Sequence, residues 1–509
     1  MNYEYKVAIF AGSDYKYGVH PFSPATAFPE YPFKNERLSG KGSPAYEGVR
    51  QCLRFLNLDP DNYGTASWNP LGKLVSPGKT VVINPNLVLS RHAIGKNLYS
   101  IITHPSIIRA ICDYVFIALK GSGRIIIADA PQLDCDFEEL LEVTQLRTIQ
   151  TLYMEVMRFE IEILDLRNFW ADIDKDKQEI GVRDRQKLPG DPLGGVKVNL
   201  GKKSEFYGLN RSGRYFGADY DRKETNLHHC GDVHEYMVSR AILSADVYIA
   251  VPKLKVHKKV GVTLNTKGLV GTVVNKNFLV HYTLGTPAEG GDQLPDSISY
   301  RSRLFTRISS FLTDNLMTHR NSVLEKLYLF LKSFQRTCLS PFGLGLKEEH
   351  QQHYGGNWYG NDSAWRMAVD LAKIIYYADQ NGIIHDTKQR KIFSIIDGII
   401  GGENEGPLRP DPKKCGVILA GHNLMAVDAV AARIMGFDPY KIKTIANTLD
   451  NTCGFNFCLS GKDIQVISNK PEYQSCLQDN QDMFLNFKCP VGWAGHISIK
   501  GLETESIYR

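Results

Sequence analysis

The sequence predicts an α/β fold: a mostly parallel sheet with helices on both faces and large irregular insertions. Three observations carry this. Short β-branched apolar runs recur and end in polar, Gly or Pro residues; amphipathic helical stripes lie between some of them; and the segments between are long, charged and turn-rich. Runs that are apolar throughout suit strands buried on both faces, as in a parallel sheet, and strand–helix–strand order points to the α/β class.

The runs are 80–83 (TVVI, into Asn84-Pro85-Asn86), 125–128 (into Asp129), 247–251 (VYIAV, into Pro252-Lys253), 392–396 (into Asp397) and 417–420 (into Gly421-His422). A helix is expected from Pro105, whose missing N–H costs nothing at a first helical position, with Ile108, Ile111, Cys112, Val115 and Leu119 on one stripe and Gly121 as the stop. Asn361 or Asp362 would cap a second helix bearing Trp365, Val369, Ala372 and Tyr376. Val427, Val430, Ala431 and Ile434 make a third stripe, closed by Gly436. A further helix is expected over 234–243. Residues 1–74 read as an irregular region joined to the core, 75–445 as the core with insertions at about 172–226 and 283–355, and 446–509 as a C-terminal extension.

Composition excludes several classes. At 509 residues, 43% apolar and 23% charged, the chain resembles an ordinary globular protein. A net charge of +5 is too mild for a nucleic-acid binder. Ten cysteines without a Cys-x-x-Cys pair give neither a disulfide scaffold nor an iron–sulfur or zinc-ribbon motif, and suit thiols in a reducing compartment. No apolar run reaches 18 residues and no signal-peptide layout opens the chain, so a cytoplasmic location is expected. The basic amphipathic segment 303–335 could lie on a membrane surface; a helical insertion docked on the main domain is favoured.

Ligands of open α/β sheets bind beyond the carboxyl ends of the strands, so Asn84, Asn86, Asp129, Lys253, Lys255, His257, Asp397 and His422 are expected to converge. Lys253, Lys255 and His257 alternate, which in an extended chain places them on one face as an anion site whose members depress one another's pKa. A lysine so lowered suits a base or a covalent amine; the alternative is a solvated basic edge, which is how Lys258 and Lys259 read. Lys267 follows, with Gly268 and Gly271 permitting close backbone approach. His104 opens a helix whose positive end would favour an anion, or is simply structural. Asn84 and Asn86 bind substrate or stabilise their turn. In 397–410 (DGIIGGENEGPLRP), the N–H groups of Gly401 and Gly402 could cradle an anion, or Asp397, Glu403 and Glu405 could hold a hard cation. Asp428 points to the sheet edge or binds nearby backbone. His228, His229, Cys230 and His234 suggest a metal cluster without an open-site spacing, and a polar loop is favoured.

Together the segments VVINPNLV (81–88), HPSIIRAI (104–111), RIIIADAP (124–131), ILSADVYIAVPKLKVHKKVGVTLNTKGLVG (242–271), GNWYGNDSAWRMAVDLAKIIYYAD (356–379), IIDGIIGGENEGPL (395–408) and GVILAGHNLMAVDAVAARIMGFDP (416–439) resemble the family called domain of unknown function 362. The likeness implies a domain and not a reaction. Some relatives carry ferredoxin cysteines that this chain lacks. The long form resembles proteins encoded beside surface-polysaccharide biosynthesis enzymes, which implies a bacterial cytoplasmic role and a sugar-linked substrate. A looser likeness is to the N-terminal domain of nickel-pincer lactate racemases, where a lysine holds the cofactor and histidines act as ligand and bases; by pattern the positions would be His104, His257 and Lys267. The expectation is an enzyme, an isomerase or oxidoreductase, acting on a small anionic or sugar-linked substrate. His257, Lys255 and His104 would be catalytic; Asn84, Asn86, Lys253, Lys267, Asp129, Asp397, Gly401, Gly402, Glu403 and His422 would bind substrate. A divalent metal is left open and an iron–sulfur cluster is disfavoured. The alternative is a non-catalytic, cofactor-binding or accessory protein of polysaccharide biosynthesis.

Overall fold

The computed structural model describes residues 3–12, 16–33, 44–171, 185–219, 221–319, 353–450, 453–457, 460–474, 477 and 485–499. Its centre is a 10-stranded sheet. We label its strands β1 (Lys6–Ala11), β2 (Thr80–Pro85), β3 (Arg124–Asp129), β4 (Ile161–Asp165), β5 (Val247–Val251), β6 (Lys253–His257), β7 (Gly261–Val262), β8 (Lys391–Glu403), β9 (Asp411–Gly421) and β10 (Gln465–Ser468). The path runs β10-β1-β9-β8-β5-β2-β3-β4, with β6 beside β8 and β7 beside β6. Neighbours are parallel except β1–β9, β8–β9 and β6–β7.

Alternate residues of each strand feed opposite faces, as the pleat requires. Val82, Ile126, Ala128, Tyr248 and Ala250 join one core. Val81, Ile83, Ile125, Ile127, Val247 and Ile249 join the other. Helices α1 (Pro44–Phe55) and α2 (Pro105–Leu119) cover the second face. Helices α5 (Ala364–Tyr377) and α6 (Leu424–Met435) cover the first, together with the short α3 (Leu264–Gly268). Helix α4 spans Tyr300–His319.

The helix signals in the sequence act as expected. Pro105 sits in the first turn of α2, and His104 caps it by accepting from Ser106 N. The chain leaves α2 through Lys120 (φ 51°) and Gly121 (φ 74°) in left-handed conformation. Asn361 Oδ1 accepts from Ser363 N and Ala364 N (3.0 and 2.9 Å), so it caps α5 from two residues before the usual position. Asn423 caps α6, and Gly436 closes it at φ 97°.

Five segments differ from expectation. The run at 392–396 continues to Glu403 as one long strand. The run at 417–420 begins at Asp411 and is antiparallel to β8. Residues 233–239 form a strand paired with Gly195–Asn199, and the helix is only Arg240–Leu243. The inward side chains of that strand, His234, Tyr236 and Val238, follow period 2 and not a helical stripe. The region 1–74 is not simply irregular: β1 lies in the central sheet and α1 packs on it. Likewise β10, at 465–468, extends the sheet.

Of the basic segment 303–335, residues 320–335 lie outside the described residues. On α4, Tyr300, Leu304, Ile308 and Phe311 are exposed. Among the described residues no helix is long and apolar enough to cross a membrane.

Candidate functional site

Three strands end together: β2 at Pro85, β3 at Asp129 and β5 at Val251. The chain does not leave the sheet after β5. Pro252 cannot donate to the ladder, and the pairing with β8 resumes as β6 with a register shift between Lys253 and Lys255. Leu254 and Val256 enter the core, so Lys253, Lys255 and His257 share the opposite face, as their spacing predicts. All three are buried.

Two groups of side chains meet there. In the first, Lys253 Nζ lies 2.9 Å from Asp397 Oδ2 with both side chains at 0% exposure. Tyr17 donates to Asp397 Oδ1 (2.7 Å) and accepts from Lys253 Nζ (2.7 Å) and Ile400 N (3.1 Å). His104 N donates to Asp397 Oδ2 (2.9 Å), and Lys253 N donates to Asn86 Oδ1 (3.0 Å). The His104 ring stacks on Tyr17 at 3.9 Å. Burial and then the Lys253 charge hold the His104 imidazole well below its ordinary pKa. Its Nδ1 accepts from Ser106 N (3.0 Å), so the neutral ring carries its proton on Nε2. Asp397 neutralises the charge of Lys253, which is therefore not offered to a ligand.

The second group is rich in amines. Lys255 Nζ donates to Ile101 O (2.7 Å), Lys276 Nζ to Ala130 O (2.7 Å), and Lys259 Nζ to Gly355 O. Lys267, on α3, is only 5% exposed, and among the described residues its ammonium has no partner. Burial, aided by neighbouring ammonium groups, lowers Lys255 and Lys267 to about 7. Burial is also the main cause for Lys259, lowered to about 8. His257 and His281 are held well below the usual imidazole value, by burial first and then by Lys267. His257 Nδ1 accepts from Lys259 N (3.0 Å), which leaves the proton on Nε2 and makes that nitrogen a donor.

The carboxylates facing this group are occupied. Asp129 accepts from Leu87 N (2.7 Å) and Asn84 Nδ2 (3.4 Å). Burial raises its pKa and lowers that of Lys276, each offset in part by the other. Asp292 accepts from Thr283 N, Asp362 N and Ser363 Oγ (2.6, 2.8 and 2.7 Å). Asp165 is paired with Arg167 at 2.6 Å. Among the described residues no three His, Cys, Asp or Glu side chains are grouped to hold a metal ion. The donor set itself, four lysines around occupied carboxylates, repels a divalent cation and suits an anion.

Gly271 is essential to this packing. A Cβ there would overlap Asp129 Oδ1, and its carbonyl accepts from Ala130 N (2.7 Å). Gly271→Ala is expected to destabilise the protein by about 1–3 kcal/mol, the range for overpacking. Urea titration of the intact chain would check this; an unchanged midpoint would contradict it.

Several residues singled out in the sequence fall elsewhere. Asn84 is satisfied structurally, donating to Ala128 O (2.6 Å) and accepting from Tyr248 (2.7 Å). Gly401 and Gly402 form no anion cradle, because both pair with β9 inside a strand. Their missing side chains serve close packing, Gly401 against Phe487 and Gly402 against Ser100 O. Glu403 binds Lys413 (2.9 Å) and Lys488 N (3.0 Å). His422 follows the antiparallel β9 and so leaves toward the amino end of β8, its ring 4.9 Å from Phe393. Asp428 accepts from Asn265 N and Thr266 N (both 2.8 Å), which fixes α3 and hence Lys267. His228 pairs with Glu235 (2.9 Å) and Cys230 is exposed, so these residues do not converge on a common ligand.

Sequence reasoning missed Tyr17, Lys259, Lys276 and His281. Lys258 is indeed partly exposed and paired with Glu405, but Lys259 turns inward over the Tyr282 ring (5.1 Å). Parity could have found it, since 253, 255, 257 and 259 keep one alternation.

Residues 205–433 match the family described as "Domain of unknown function (DUF362)". A curated protein, the thylakoid-associated protein sll1697 of Synechocystis sp., is 40% identical over 54 residues, 11% of this chain and 17% of that protein. The chain thus matches about a sixth of the length of that relative.

Proposed function

We propose that this DUF362 protein is an enzyme that binds a small anionic substrate beyond the carboxyl ends of β2, β3 and β5 and moves a proton on it. One observation carries the reading: Lys267 is buried with no partner among the described residues, while Lys255, Lys259 and Lys276 each have a carbonyl to bind. A cationic group held at 5% exposure without a partner attracts a counter-charge, and an anion would supply it.

In this reading Lys267 contacts the anion and the other ammonium groups supply the field. His257 presents Nε2–H to a substrate oxygen, as a neutral donor and not as a base. The amines, lowered toward neutrality, are the groups able to take up a proton. Lys253, Asp397, Tyr17 and Asn86 position β6 and do not touch substrate. His104 supports Tyr17 from the start of α2. A sugar-linked substrate would enter through its phosphate or carboxylate.

The test is ligand-induced stabilisation. Inorganic phosphate or a small carboxylate is expected to raise the melting temperature of the intact protein, and Lys267→Met to weaken that binding at least tenfold (about 1.4 kcal/mol). Equal stabilisation of the variant and the wild type would defeat the reading.

A further inference from the structure

We propose that Lys267 forms a covalent imine with the carbonyl carbon of a small 2-oxo acid. The inference rests on the anion site above and deepens it by naming the substrate class and the bond formed.

The geometry supplies the parts that imine formation needs. A nucleophilic amine must be unengaged, shielded from bulk water, and beside groups that hold the substrate. Lys267 alone among the four clustered lysines has no partner among the described residues, and it is 5% exposed. Its helix is fixed from below: Asp428 binds Asn265 N, Asn265 Nδ2, Thr266 N and Thr266 Oγ1. Four hydrogen bonds on the two residues before Lys267 fix the backbone from which its side chain projects. Burial, aided by neighbouring ammonium groups, leaves a sizeable share of the amine unprotonated near neutral pH.

A 2-oxo acid places a carboxylate next to an electrophilic carbonyl. The cationic surroundings, Lys259 with Lys255 and Lys276, attract the carboxylate. His257 Nε2–H is the donor for the carbonyl oxygen, on which negative charge grows as the amine attacks. The step balances without an oxidant or reductant. The Lys267 nitrogen lone pair forms the C–N bond and the carbonyl π pair moves to oxygen. The two amine protons leave with that oxygen as water, giving a neutral imine. An ammonium neighbour such as Lys255 then protonates it to the iminium.

The experiment is trapping with borohydride. Intact protein is incubated with pyruvate or 2-oxoglutarate, reduced, and measured by mass spectrometry with peptide mapping. One reduced adduct on Lys267 is expected. Lys267→Met should lose it by at least tenfold, and Lys267→Arg should lose it while still binding inorganic phosphate. Folding of each variant is checked by thermal melting. A wild-type protein that binds phosphate but gives no adduct overturns the imine and leaves the anion site standing. An adduct mapped to Lys255 overturns it too. If neither phosphate nor the 2-oxo acids bind, the anion site itself fails.

Discussion

Lys253→Met is expected to cost about 3–5 kcal/mol of stability, the range for removing one partner of a buried ion pair. The substitution leaves the Asp397 carboxylate at 0% exposure facing Tyr17 and the His104 N–H without its cation. The loss would be read from urea denaturation of the intact chain. The double variant Lys253→Met/Asp397→Leu should recover much of it, because an apolar pair of similar volume restores neutrality. A loss under about 1 kcal/mol would mean that the pair contributes no more than an exposed one, and the positioning role given to it would fall.

The second large effect is on pH. Lys255 and Lys267 lose their protons at about pH 7 in the folded protein, whereas unfolded lysine does so at ~10.4. Below pH 7 both states are protonated and the penalty of burying two ammonium groups is fully felt. Between about pH 7 and 10 the unfolded state holds protons that the folded state has released, so stability rises with pH. The slope is about 1.4 kcal/mol per pH unit for each such group. The ligand-free protein should therefore gain resistance to urea from pH 7 to 9, and Lys267→Met should show a shallower rise. A bound anion favours the ammonium form and should flatten the slope too. A flat profile in the ligand-free wild type would show that these amines are not desolvated.

Much of the fold was legible because its strands are apolar throughout. The runs 80–83, 125–128 and 247–251 each became a parallel strand of the sheet. Strand direction was not legible. Nothing in 417–420 distinguishes an antiparallel β9, and that one reversal sends His422 away from the edge where it was expected. From sequence alone the glycines of 397–410 suggest a loop, since glycine marks turns and also close strand packing, and only the neighbours Phe487 and Ser100 decide between them. In the site, the alternation of Lys253, Lys255 and His257 correctly gave a shared face. It could not show that Asp397 cancels one of the charges, because that pairing joins positions 144 residues apart. Tyr17 carried no signal at all: a tyrosine in a Pro/Gly-rich stretch becomes informative only once its hydroxyl is seen between Lys253 and Asp397.

The way the sheet is threaded has a practical corollary. The stretch that matches the family supplies β5 to β9, yet Asn86, His104, Asp129 and Tyr17 reach the same floor from strands and loops coded before it. A fragment trimmed to 205–433 would lack half of its own foundation, and grafting that fragment onto another scaffold would transplant the amines without the wall that shapes them.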